Sequence, residues 1–251
     1  MVLRKSLIVA KADLRMAMKV KMVKYSLVIM SLMAPIMAIG LVLLIALTAP
    51  AILVTTIPML DSLFAPMIGI MAIIPATMIS ANALVGEREQ NTLEPLLCTP
   101  LTNRELLIGK VLSSFIPTII LLLGSVLITE IATIIIFASV GANPVLFPGT
   151  ASLYLLLVAG PILIVAIVSV MILISGKVKR VYEAYQSSGA IVIVFLIPML
   201  LPMMSTSDLG NVNVNLVWLS NTITLLIASV LAIITSALAI SRFNRDRMVS
   251  M

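Results

Sequence analysis

Few side chains in this 251-residue sequence are equipped for chemistry. Histidine is absent and Cys98 is the single cysteine, so neither a disulfide within the chain nor a Cys/His zinc cluster can be assembled. Metalloprotease and aspartyl chemistries lack candidates too, because the apolar runs contain no paired acids at catalytic spacing. The sequence also lacks a Gly-x-x-x-x-Gly-Lys-Ser/Thr phosphate loop and cannot cradle ATP by that route. Two places remain. Glu130 is the one acid inside an apolar run, where an ionisable group is a candidate ion or substrate contact. It lies about 30 Å along a helix from Lys110, so if that lysine marks an inner membrane boundary, Glu130 is an interfacial carboxylate at the outer one. The other place is the charged stretch 86–110, which sets Leu93, Leu96 and Leu97 among Glu87, Glu89 and Glu94. Leucines exposed between charges present an apolar contact to a partner.

The elements around that stretch are written in its capping residues. Gly86 suits the end of the preceding helix. Asn91 with Glu94 has capping-box-like spacing for a short helix, Pro95 is tolerable in its first turn, and Pro100 ends it. Thr102 with Glu105 forms a capping box for a helix that continues into the next apolar run. The stretch is therefore expected to hold out a short helix between two longer ones.

Hydrophobic residues make up 61% of the chain and charged residues 10%, well below the roughly one quarter charged of a soluble domain. Length therefore counts membrane spans. All 16 Lys and Arg residues fall within 4–24, 88–110, 177–180 and 242–247. Basic residues near span ends stay on the cytoplasmic side, which predicts six spans with both termini inside. The expected spans are 26–49, 63–85, 111–139, 151–175, 186–204 and 217–241. Outer connections are expected at 50–62, 141–150 and 205–216, and inner ones at 86–110 and 176–185. Tyr25, Tyr182 and Tyr185 fall at inner boundaries, and Phe64, Tyr154 and Trp218 near outer ones. The net charge of +6 sits beside apolar runs, so membrane lipids with anionic headgroups are the expected partner and nucleic acid is not. The basic N-terminal region and the long run after it read as an uncleaved first span.

Residues 1–24 are expected to lie on the inner leaflet as an amphipathic helix. Leu3, Leu7, Ala10, Leu14 and Ala17 share one face, and Arg4, Lys11, Arg15 and Lys19 another. Val9, Met16 and Val20 interrupt the polar face, which leaves room for packing on protein. Small residues recur along the second span (Gly69, Ala72, Ala76, Ser80, Ala83) and the sixth (Ala228, Ala232, Ser236, Ala239), a pattern that lets helices approach closely in lipid. Asn82 and Asn221, near span ends, are expected to bond between helices. Pro198 and Pro202 are expected to break the fifth span, as a re-entrant turn or as a kink.

The stretch 86–110 resembles the signature of type-2 ATP-binding-cassette exporter permeases, Glu-x-Glu-x-Gly-Thr-Leu-Glu-x-Leu-Leu-x-x-Pro followed by Leu-x-x-Gly-Lys. The matching residues are Glu87, Glu89, Thr92, Leu93, Glu94, Leu96, Leu97, Pro100, Leu106, Gly109 and Lys110. Asn91 stands where glycine is usual, and Pro95 is atypical. The resemblance implies an all-α, six-span bundle with an interfacial N-terminal helix, forming one permease domain over 1–251. It implies that Glu87, Glu89, Thr92, Leu93, Glu94, Leu96, Leu97 and Pro100 couple the chain to an ATPase subunit. Two such ATPase subunits, a second permease subunit, identical or related, and a location in the cell membrane follow. ATP and magnesium would belong to the ATPase partner, with no cofactor bound by this chain. The alternative is a secondary transporter or another polytopic membrane protein without ATP coupling. That would want charged groups near the midplane and an internal repeat. The expected outer connections are too short for a receptor domain.

Overall fold

A computed structural model of the chain describes residues 2–86, 89, 102–175, 178, 180–204 and 212–242. These form seven long helices and, among the described residues, no strand. The first is α1, Val2–Ala17, followed by α2, Lys21–Thr48. A 3-10 turn, Pro50–Ile52, leads into α3, Leu53–Ala81, which passes into a π-turn, Asn82–Gly86. Then come α4, Asn103–Val140, and α5, Thr150–Ser175, the latter with a π-turn over Leu155–Ala159. α6, Val181–Met204, and α7, Val214–Arg242, complete the bundle. Helices α2 to α7 each carry a segment long and apolar enough to cross a membrane. We call the end of the bundle where the basic residues gather the inner end, and the opposite end the outer one.

Helix α3 is the hub and the most buried of the six. Its small-residue stripe explains why: Gly69, Ala72, Ala76, Ser80 and Ala83 are all buried, and neighbouring backbones come close where side chains are short. A β-carbon on Gly69 would stand 2.9 Å from the Met199 methyl of α6. Apolar clusters then fill the bundle from end to end. Ala65, Ile68 and Ala72 pack with Leu122 and Val126 of α4 and Ile164 and Val168 of α5. Ala38, Val42, Leu53, Ile57 and Phe137 close the outer end. The sixth-span stripe is buried at Ala228 and Ala239 and half-buried at Ala232 and Ser236. Large apolar side chains such as Leu47, Ile120, Ile197 and Ile233 stay exposed on the periphery, an arrangement suited to lipid.

Two expectations need correction. The stretch 50–62 is helical rather than a connection. Pro50 starts the turn at a position where its missing N–H costs nothing, and the Thr55 and Thr56 hydroxyls bond back to the carbonyls of Ile52 and Leu53. Phe64, expected near the outer boundary, packs in the cluster that closes the outer end. The fifth span holds no re-entrant turn within its described length, since α6 runs as one helix through Pro198 and Pro202 to Met204. Pro202 has no N–H to give the Pro198 carbonyl four residues back, and the Ser220 hydroxyl of α7 donates to that carbonyl instead.

Polar contacts between helices hold the register. Ser80 of α3 donates to Ser114 of α4 at 2.8 Å, and Asn221 of α7 donates to the Ala151 carbonyl at 2.7 Å. Asp61 sits in the helix rather than in a loop, where it accepts from the Gly149 backbone N–H at 3.0 Å and the Ser152 hydroxyl at 2.7 Å. Its carboxylate thereby caps the outer end of α5, a favourable place for negative charge. Asn221 and Asn82 do bond between helices, as their positions predict. α4 ends at Gly141, whose φ of 71° is the left-handed conformation that terminates helices.

Candidate functional site at the base of the 86–110 loop

Glu87, Thr92, Leu93, Glu94, Leu96, Leu97 and Pro100 lie outside the described residues. The two ends of the loop are described in detail. On the downstream side, the capping box is present: the Glu105 N–H donates to Thr102 Oγ1 at 3.2 Å, and Glu105 Oε2 accepts from the Thr102 N–H at 2.9 Å. It fixes where α4 starts and the direction from which the loop joins it. Leu106 is fully buried one residue later.

On the upstream side the π-turn leaves α3 wide at its last turn. Asn82 Nδ2 donates to the Met78 carbonyl at 2.8 Å and to the Tyr185 hydroxyl of α6. Glu89, the one described member of the signature's coupling set, is exposed and accepts from the Val181 N–H at 3.2 Å. That N–H is at the first residue of α6, so the loop's own carboxylate meets the N-terminus of the fifth span, where a helix favours negative charge. The π-turn and the loop after it are thus each tied to α6 at one point.

Lys110 joins the two ends. Its side chain is 1% exposed; Nζ donates to the Ala83 carbonyl in the π-turn and stands 3.6 Å from Asp13 Oδ2 of α1. Lys110 is thus more than a residue at the inner end of a span, because its ammonium group is buried in a protein interface. Gly109 makes that interface possible: a β-carbon there would come within 2.8 Å of Val9 Cβ and 3.0 Å of the Ser6 carbonyl. The Gly-Lys pair of the signature has a local physical reason here, close approach of α1 at the glycine and charge neutralisation at the lysine.

The α1 face turned to the protein is Ser6, Val9, Ala10, Asp13 and Ala17, all buried, while Leu7 is half exposed. Of the expected apolar face, Ala10 and Ala17 are buried against the protein and Leu14 is half-buried, and Val9, which interrupts the polar face, packs on protein as well. Asp13 escaped the sequence reading. Its signal was available: it is the only acid in a segment of seven basic residues, and it shares a helical face with Val9, Ala10 and Ala17. The basic face of Lys11, Arg15 and Lys19 points away from the protein and is exposed. Glu130 is half-buried on α4, its carbonyl accepting from Thr133, and is not part of this cluster.

Six apolar helices, one of them a buried hub, with the basic residues gathered at one end, define a multi-pass, all-helical membrane protein. A family model described as ABC-2 family transporter protein matches residues 7–215, most of the sequence from within α1 to the start of α7. The chain belongs to that family and is a membrane permease of an ABC transporter. A comparison with curated proteins finds no match.

Proposed function

We propose that this chain is the membrane-spanning subunit of an ATP-driven exporter of the cell membrane, coupled through loop 86–110 to a separate ATPase subunit. The observation that carries this reading is the signature from Glu87 to Pro100, held between a π-turn and a capped helix whose ends Lys110 draws together. Leu93, Leu96 and Leu97 supply the apolar contact, Glu89 and Glu94 its charged rim, and Glu87 belongs to the same coupling set. Thr92 and Pro100 belong to the same signature. The ATPase partner, in two copies, holds ATP and magnesium; this chain binds neither. The gap between α3, α4, α5 and α6, lined by Gly69, Leu122, Leu163 and Met199, offers only about 10 Å³, no more than one water. A ligand pocket needs hundreds of cubic ångströms, so this gap is not a substrate path; the path is proposed to form with the second permease subunit.

The purified chain alone is expected to show no vanadate-sensitive ATP hydrolysis and to acquire it when reconstituted with a cassette subunit. Sustained hydrolysis by the isolated chain, free of contaminating ATPase, would refute the division of labour.

A further inference from the structure

The Asp13–Lys110 pair is an expensive thing to place at the inner end of a membrane bundle. Both side chains are 1% exposed, and two charges taken out of water hold their cost only against each other and nearby polar groups. Apolar residues would seal the α1–α4 contact as well, given the close fit of Val9 and Ser6 on Gly109. What the ammonium group adds is a third attachment. It donates to the Ala83 carbonyl, 27 residues upstream, and so closes the base of the whole 86–110 loop. A backbone carbonyl in a π-turn is a suitable acceptor, because the widened turn displaces the usual helical hydrogen bonds.

Resting on the coupling role proposed above for loop 86–110, we infer that Lys110 is a positioning residue for that coupling. It locks α1, the inner end of α3 and the inner end of α4 into one rigid body, so that α1 follows the loop whenever the ATPase moves it. The amphipathic helix then acts as an arm of the docking loop rather than as an independent float on the lipid surface. Its exposed basic face, Lys11, Arg15 and Lys19, travels with it. The attachment runs through charge and hydrogen bonds, which fix direction, where apolar contacts alone would let the helices slide.

Spin labels at Lys11→Cys on α1 and Ile120→Cys on α4, both exposed positions, test this in a Cys98→Ala background. The distance between them is measured in the complex with its cassette ATPase, without nucleotide and after trapping with ATP, magnesium and vanadate. One rigid body requires a single distance that changes by no more than about 2 Å between states, whereas a shift of about one helical turn, roughly 5.4 Å, would overturn the inference. Lys110→Met in the same labelled chain is expected to widen the distance distribution at least twofold. An unchanged distribution in Lys110→Met would also overturn it, and the parent measurement decides the rigid-body question whether or not that variant accumulates. A labelled parent that carries no ATPase to trap would instead overturn the transporter reading, and with it the cycle on which this inference rests.

Discussion

Changing Leu96 and Leu97 to Asp is expected to release the ATPase from the chain while leaving the chain in the membrane. Each leucine side chain lost from an apolar contact removes about 1.5 to 3 kcal/mol, and a carboxylate forced into the same contact adds a desolvation cost. At about 1.4 kcal/mol per tenfold, the pair together weakens docking by several orders of magnitude. Insertion should be unaffected, because the six apolar spans and the Thr102–Glu105 cap lie outside the substituted residues. The measurement is ATPase recovered per permease after affinity purification, with membrane abundance as control. Recovery at wild-type stoichiometry would show that the loop is not the main docking element.

The second large effect concerns the buried pair. Lys110→Met leaves the Asp13 carboxylate in an interface closed to water, and Asp13→Leu leaves the ammonium group in the same state. Removing one partner of such a pair typically costs about 3–5 kcal/mol, whereas replacing both by apolar groups of similar volume is often near neutral. Each single variant is therefore expected to unfold at markedly lower temperature in detergent and to accumulate poorly. The double variant Asp13→Leu/Lys110→Met should regain most of the loss, a coupling of the kind expected of residues in contact. Single costs that merely add in the double variant would mean that the two charges do not stabilise each other.

Much of this molecule is legible in its sequence, and the failures have local causes. The spans are legible because lipid demands long apolar runs. The stripe from Gly69 to Ala83 announces the buried face of α3, and Thr102 with Glu105 announces the start of α4. The segment 50–62 misleads because its prolines, threonines and Asp61 have the composition of a loop. Each of these polar side chains is satisfied within the bundle, the threonine hydroxyls by the preceding turn and Asp61 by Gly149 and Ser152. Pro198 and Pro202 mislead because the compensating donor, Ser220, belongs to another helix.

The base of the loop is the least legible part. Gly109 and Lys110 stand out through the family signature, but the signature does not say what they touch. Asp13 is 97 positions away from Lys110 in sequence, and no local periodicity links an acid on the first helix to a lysine at the start of a later one. Long-range charge pairs are set by tertiary packing, here by the close approach that Gly109 allows. Glu89 is a comparable case, since its tie to Val181 depends on α6 starting beside the π-turn.

The coupling account can be tested most directly at Cys98, which follows Leu97 and is the chain's own single thiol. A photoactivatable crosslinker attached there in the otherwise native chain, activated in membranes containing the cassette ATPase, should give one predominant adduct between the two subunits. The yield should fall at least about tenfold with Leu96→Asp/Leu97→Asp. A loop at Cys98 that reacts only with reagents applied from outside the cell, or that yields no ATPase adduct in an actively hydrolysing complex, would contradict the account.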